Sequence, residues 1–442
     1  MDCISGIQRQ SSSSAHDIEL ASSTLPDKHL SPDALLWWNA TSEIVRDLLV
    51  SGKYDLRQQT SAMMFYHTYI VPNLGAFPMD ANQPPQWKSY MTDDFSPIEF
   101  SWNWGNAQGD VDRRVRFSIE AINKESGTVT DPWNQKATID LVDRLEADVP
   151  EINVQWFYRL LKDFTPPKDV LSEDFISRFD PQQPRSSLFM AFELRDKMPV
   201  VKLYMMPFAR AVGTSQTESA VIFESLSSFA HEMKWSSLQG LVQSLNLKSR
   251  SLGLDPFMIA FDCLSPQKSR MKIYARCPDI RLASVMETMS IFEDKSKISD
   301  GLKELQMLWD LVFSCGGQSH TDCLPHKAHI TSGILYYFEV RPGSSKVTTK
   351  VYLPVKHYAK DDLSVAEGLQ EFFRKRRGMQ DQSAGDFMGV LNRMCTYRRL
   401  EKATGLQTYI SCKIENDSLE ITSYLSAEMY NEGRWSRGNP TV

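Results

Sequence analysis

Polar and apolar residues alternate over short stretches of this chain, and the alternating stretches come in pairs. In SPIEFSWNW, Ile98, Phe100, Trp102 and Trp104 take one face while Glu99, Ser101 and Asn103 take the other, the period of two that defines a β-strand. RRVRFSIE follows, with Arg114, Arg116 and Ser118 on one face, and GNAQGD between the two has turn composition, so a hairpin is expected. Further strand pairs are expected at about 187–194 and 199–206 (with an RDK turn between), 257–263 and 270–276, 333–341 and 347–353, and 406–414 and 418–425. Between the pairs the spacing turns helical: 31–52 after a start signal at Ser31, 61–70, 137–162 with a break at Pro150, 217–233 continuing toward 246, 281–292, 300–314, 363–376 and 384–395. Segment 78–86 and the Pro-rich 166–184 read as loops. Each unit is helix, strand, strand, helix, and five units give ten antiparallel strands.

Three strands share one motif, a lysine, an apolar residue and a tyrosine: Lys202-Leu203-Tyr204, Lys272-Ile273-Tyr274 and Lys350-Val351-Tyr352. In a strand, each lysine and its tyrosine point the same way and the residue between points the other. Arg270 extends the second copy by one step, Thr422-Ser423-Tyr424 is an uncharged fourth, and Arg116 holds the corresponding place on an earlier strand. The copies recur at intervals of roughly 70 to 90 residues, too long for a solenoid repeat. Alternation normally sends charge to water and apolar side chains inward. Here the charged face keeps acquiring tyrosines, which belong in a partly enclosed place. A closed barrel resolves the conflict if the charged faces line its lumen and Val201, Leu203, Met271, Ile273, Val351 and Leu353 pack against outer helices. Solvated lysines on exposed strands are the plainer alternative, and identical phasing in three copies speaks against it.

The chain of 442 residues could form two or three domains by length alone. The recurring unit argues instead for one closed domain over 31–430, after a disordered Ser-rich lead-in at 1–30 and before a tail at 431–442. A formal net charge of −6 speaks against general nucleic-acid binding. No apolar run approaches the roughly 18 residues that span a bilayer, and MDCISGIQRQSSSSAHD lacks the apolar core of a secretory signal, so no membrane partner and a cytoplasmic location are expected. Seven scattered cysteines, an odd number, do not form a disulfide framework pattern. Cys315, His320, Cys323, His326 and His329 lie close together, but Cys323-x-x-His326 matches no familiar zinc spacing, and Gly316, Gly317 and Pro325 read as loop. No metal site is expected there.

The GxxxxGK[ST] and GxGxxG phosphate loops, HExxH and the GxSxG elbow are all missing from the sequence. Asp93-Asp94 and Asp361-Asp362 lack the third aspartate that would mark a magnesium-dependent diphosphate site. A phosphate in the lumen would therefore be held by Lys and Arg side chains, beside phenol rings whose π-faces stabilise positive charge.

With these residues in place, the chain resembles the fungal aromatic prenyltransferases of the dimethylallyltryptophan synthase type over about 33–430. The resemblance rests on LWWNAT, WKSYMTDDFSPIEFSWNW, VRFSIEAIN with DPWN, the three Lys-x-Tyr strands and SPQKSRMKIY. It implies an α/β (α+β) fold of the ABBA or PT-barrel kind, ten antiparallel strands ringed by helices. It implies that Arg116, Lys202, Arg270, Lys272 and Lys350 bind the diphosphate of dimethylallyl diphosphate, and that Tyr204, Tyr274, Tyr352 and Tyr424 shield the allylic cation. Glu99 matches the glutamate that bonds the indole N–H and takes up the proton. The resemblance also implies an acceptor pocket formed by Tyr90, Met91, Phe189 and Phe257. No cofactor and no obligatory metal are implied, and a monomer or homodimer is expected. Tryptophan-using relatives hold the amino-acid carboxylate with a lysine and an arginine at the positions of Phe189 and Phe257, and both phenylalanines are expected to lie on strands in phase to face inward. The expected acceptor is therefore an indole-containing secondary metabolite whose carboxylate is masked or absent, such as a cyclic dipeptide or an indole diterpene, rather than free tryptophan. A phenolic or polyketide acceptor, or a non-catalytic metabolite-binding barrel, are the alternatives.

Overall fold

The computed structural model describes residues 30–80, 83–105, 114–167, 173–176, 179–180, 183–195, 198–315, 324–376 and 382–434. Nearly all of the expected lead-in, most of the C-terminal tail and of the GNAQGD and RDK turns, and the pair Gly316-Gly317 lie outside the described residues.

Ten strands form one antiparallel barrel: β1 (Ile98–Gly105), β2 (Val115–Ile119), β3 (Leu188–Glu193), β4 (Val200–Met205), β5 (Asp255–Asp262), β6 (Met271–Cys277), β7 (Ile334–Val340), β8 (Thr348–Leu353), β9 (Gln407–Glu415) and β10 (Ser418–Ser426). Each strand pairs with its neighbours in sequence, and β1 closes the ring against β10, so no edge is left unpaired. The two faces separate as the alternation requires. Ile98, Phe100, Trp102 and Trp104 are buried on the outside, where the Trp104 ring lies 4.6 Å from Phe373 and 4.8 Å from Phe387 on the covering helices. Burying aromatic rings of this size stabilises the layer by about 3 kcal/mol each. Facing inward, a separate apolar group of Phe189, Met258, Tyr274, Tyr337 and Tyr352 lines part of the lumen.

The helices fall where the periodicity puts them, with shifts that have local causes. Ser31 accepts a hydrogen bond from the Ala34 N–H at 3.3 Å and Pro32 opens the helix Pro32–Ser51. The next helix starts at Leu56, ahead of the expected 61, because Asp55 and Gln58 form a reciprocal capping box, and its last turn widens into a π-helix at Tyr66–Ile70. The stretch expected to run from 217 toward 246 is two helices, Glu218–Glu232 and Ser236–Leu252, divided where Lys234 adopts φ 51°. The helix expected over 281–292 stops at Met289, and the 166–184 loop contains a short helix, Glu173–Ile176. Among the described residues no helix is long and apolar enough to cross a membrane. Cys263, Cys277, Cys395 and Cys412 are free, whereas Cys315 is disulfide-bonded.

Candidate active site

One end of the lumen is a cavity of about 270 Å³ lined by all five expected cations, Arg116, Lys202, Arg270, Lys272 and Lys350. Strand parity puts them there, and register brings them round the ring: Lys202 stands opposite Ala191 and Asp262, and Lys350 opposite Tyr337 and Lys413. The cations do not stand alone. Glu193 lies 2.5 Å from Lys202 and 3.1 Å from Arg116, Asp262 accepts from Arg270 at 3.0 Å, Glu339 lies 3.5 Å from Arg270, and Glu420 lies 2.9 Å from Lys413. Sequence reasoning missed these four carboxylates, which offset the mutual repulsion of the cations. Burial opposes ionisation of Glu193, but Arg116 and Lys202 beside it hold its carboxyl well below the usual range. That single charge is shared among several cations, so the lysines are not fully compensated. Burial, helped by Arg116, lowers Lys202 to about 7, and burial lowers Lys350 to about 7 against the pull of Glu420.

Deeper in the lumen the tyrosines form a continuous collar. Ring centroids are 5.8 Å apart for Tyr204 and Tyr274, 6.1 Å for Tyr274 and Tyr352, and 5.5 Å for Tyr352 and Tyr424. Tyr337, which sequence reasoning did not select, completes it at 5.4 Å from Tyr274, with the Lys272 ammonium 5.4 Å over its ring. Its signal was available, since Tyr337 and Glu339 share the inward face of β7. The four expected tyrosines line both the cationic cavity and a second cavity of about 110 Å³ beyond it, so the collar is the wall where the two meet.

The second cavity holds Glu99 together with Tyr90, Met91, Phe189 and Phe257. Glu99 is buried, and the Thr408 hydroxyl donates to its Oε1 at 2.6 Å. Burial pushes its carboxyl up to about 7, against the hydrogen bond from Thr408 and the nearby charge of Lys356. Phe189 faces the chamber by ordinary alternation. Phe257 does not: Met258, Ala260 and Asp262 carry the inward parity of β5, and Phe257 reaches the chamber because a bulge shifts the register between Pro256 and Met258. The expectation that Phe257 is in phase is corrected accordingly.

Two cations that sequence reasoning passed over also line this chamber, Lys356 and Arg276. Lys356 sits on the short helix Val355–Tyr358 after β8, 2.6 Å from Asp93 and 4.9 Å over the Tyr409 ring. Arg276 continues the inward face of Lys272 and Tyr274. A buried carboxylate, Glu120, anchors the loop bearing Tyr90 and Met91: Trp87 Nε1, Ser89 Oγ and Ser186 Oγ each donate to it at 2.6 Å, and Asn134 Nδ2 at 3.0 Å. Ser186 Oγ in turn accepts from the Tyr90 N–H at 3.0 Å.

Of the Cys/His group, His320 and Cys323 lie outside the described residues and His326 is exposed. His329 meets Asp93 and His357 instead, with ligand atoms of all three within 4.8 Å of one another. The Thr331 hydroxyl bonds His357 Nε2 at 2.7 Å, His329 Nδ1 at 2.9 Å and Asp93 Oδ1 at 3.1 Å, so a threonine side chain fills the space a metal ion would take.

The chain resembles known proteins over most of its length. Residues 33–388 match the model of the family described as tryptophan dimethylallyltransferase. The chain is 30% identical to 4-O-dimethylallyl-L-tyrosine synthase of Claviceps purpurea, covering 91% of this chain and 89% of that protein. It is 29% identical to 7-dimethylallyltryptophan synthase of Aspergillus fumigatus, covering 89% and 85%. Among solved structures, AnaPT from Neosartorya fischeri superimposes with a TM-score of 0.77 at 24% identity, over 93% of this chain and 97% of that one.

Proposed function

This chain belongs to the tryptophan dimethylallyltransferase family and is an aromatic prenyltransferase, and from that premise we propose that it moves a dimethylallyl group from dimethylallyl diphosphate onto an indole-containing acceptor. The observation that carries this reading is the tyrosine collar standing between a cationic cavity and a chamber with a buried base. Arg116, Lys202, Arg270, Lys272 and Lys350 stabilise the negative charge that gathers on the diphosphate as the C–O bond breaks and the electron pair leaves with oxygen. The phenol faces of the collar stabilise the allylic cation and keep water from it. A ring carbon of the acceptor supplies the electron pair for the new C–C bond, and its proton is released as aromaticity returns. Glu99 accepts a hydrogen bond from the ring N–H, enriching the ring in electrons, and serves as the base for that proton. A carboxyl whose affinity for protons is set near neutrality suits this double duty.

The cations can neutralise the diphosphate by themselves, which supports a reaction with no obligatory metal. The named activities of the relatives, on tyrosine and on tryptophan, keep both O–H and N–H acceptors in view, and Glu99 serves either donor. Incubation with dimethylallyl diphosphate and a panel of indole and phenol acceptors, followed by mass spectrometry, tests the proposal. A product heavier by one isoprene unit is expected, with indoles preferred. Exclusive transfer to phenols would overturn the acceptor assignment, and hydrolysis without transfer would overturn the activity.

A further inference from the structure

Arg276 lies at the junction of the acceptor chamber with an outer cavity of about 450 Å³, and it lines both. Its Nη1 donates to the Thr331 and Ser332 carbonyls at 2.7 and 3.2 Å, its Nη2 approaches the Tyr90 hydroxyl at 3.3 Å, and its guanidinium stacks 5.3 Å from the Phe257 ring centre. Gly333 makes the carbonyl contacts possible: at φ 84° it lets the chain pass so close to β6 that a Cβ there would lie 2.5 Å from the Cys277 carbonyl oxygen. These partners orient the guanidinium and leave its charge uncompensated. Among the described residues no carboxylate forms an ion pair with Arg276; the phenols Tyr90 and Tyr409 act on it most strongly, and its charge also reaches His357 and Tyr358. Asp255, its register partner across β5, makes no such pair. Lys356 differs, because Asp93 already balances it. A half-buried cation without a counter-charge is less stable than one whose site an anion completes.

Resting on the proposed function, we infer that Arg276 is the subsite for a carboxylate carried by the aromatic acceptor, at the outer end of the chamber whose inner end is Glu99. The subsite is distinct from positions 189 and 257, where phenylalanines stand. It runs against the expectation of a masked carboxylate, which followed from those two positions alone. The planar fork of the guanidinium matches a carboxylate, and the Phe257 ring, which removed one cation, now backs another. The outer cavity also carries Glu218 and Asp255, and burial, with Asp255 adding to it, pushes Glu218 up to about 7. Such acids disfavour a bare carboxylate and favour one accompanied by an ammonium group.

The test is equilibrium binding to the full-length enzyme saturated with dimethylallyl thiolodiphosphate. The probes are L-tyrosine and L-tryptophan, their amides, and the corresponding deaminated acids. The acid of each pair is expected to bind about tenfold or more tighter than its amide. In Arg276→Gln that ratio collapses to about one, with amide binding and donor affinity unchanged, and Arg276→Lys restores part of it. A purely structural arginine would weaken acid and amide alike. Amides binding as tightly as acids, an acid preference that survives Arg276→Gln, or failure of both acids to bind would overturn the inference, and the wild-type ratio decides even if the variants do not fold. Deaminated acids matching the amino acids would remove Glu218 and Asp255 from the subsite and overturn that part. Transfer is read separately by mass, so acids that bind in the expected ratio without being prenylated would refute the proposed function and not the subsite.

Discussion

Raising the pH from 7 to 9 should weaken the binding of dimethylallyl diphosphate far more steeply than the charge of the donor allows. Lys202 and Lys350 line the cationic cavity, and burial, with neighbouring cations adding to it, lowers both ammonium groups to about 7 when no anion lies between them. A diphosphate arriving between them restores the full charge, so binding takes up protons. At pH 7 each lysine is about half charged and at pH 9 about one-hundredth charged, which makes the dissociation constant rise about 50-fold per lysine. For the pair this is a weakening of about 10³-fold, or about 4 to 5 kcal/mol. The donor phosphates are fully ionised over this window, since their last pKa lies near 6, and cannot produce the effect. The sign is fixed by the depressed lysine pKa values: affinity is complete below them and is lost as pH rises through them. Titration calorimetry at pH 8 in buffers of different ionisation enthalpy should show uptake of about two protons per donor bound. Lys350→Met should remove about one of them. An affinity that stays flat from pH 7 to 9 with no proton uptake would refute the charge assignment of the ring.

Glu99→Gln should leave donor affinity unchanged and lower kcat with an indole acceptor by about 10²-fold or more, read by product formation under donor saturation; near-normal turnover would mean that the base lies elsewhere. In the wild type, kcat at saturating donor should rise with pH toward about 7, where Glu99 ionises, and the same limb should vanish in that variant. Glu120→Ala leaves the donors of Trp87, Ser89, Ser186 and Asn134 without their shared acceptor. It should cost about 3 kcal/mol or more in urea unfolding and raise the acceptor KM while sparing donor affinity; a variant of wild-type stability would show that water replaces the carboxylate without loss. Turnover should persist in excess chelator, because the cation ring faces the diphosphate directly; complete loss restored by magnesium would reject that.

What could be read in the sequence follows from the range over which its signals act. Alternation is a relation between i and i+2, so the barrel strands, the two faces and the inward aim of Lys202, Tyr204, Lys272, Tyr274, Lys350 and Tyr352 were all legible before any pairing was known. Arg276 lies two residues beyond Tyr274 on the same face and was equally legible, although the Lys-x-Tyr motif ends before it. The carboxylates are a different case. Glu193, Asp262, Glu339 and Glu420 have the right parity, but that each meets a cation depends on the register between neighbouring strands, within a hairpin for Glu193, Asp262 and Glu420 and across a long connection for Glu339, and alternation along one strand does not encode it. Phe257 breaks parity and enters the chamber only through the bulge beside Pro256, so strict alternation sends it outward: the expected pocket position holds, but the in-phase reading given for it does not. Lys356 follows Pro354 on a single helical turn, too short for any periodicity to announce it. The cationic end of the lumen was therefore legible because it is built from strand interiors, where one local rule governs every residue. The acceptor end is built from a bulge, a strand end, a loop tied down by Glu120 and one turn of helix. Each of these answers to contacts far away in sequence, and that is the end to which the proposed function assigns the choice of acceptor.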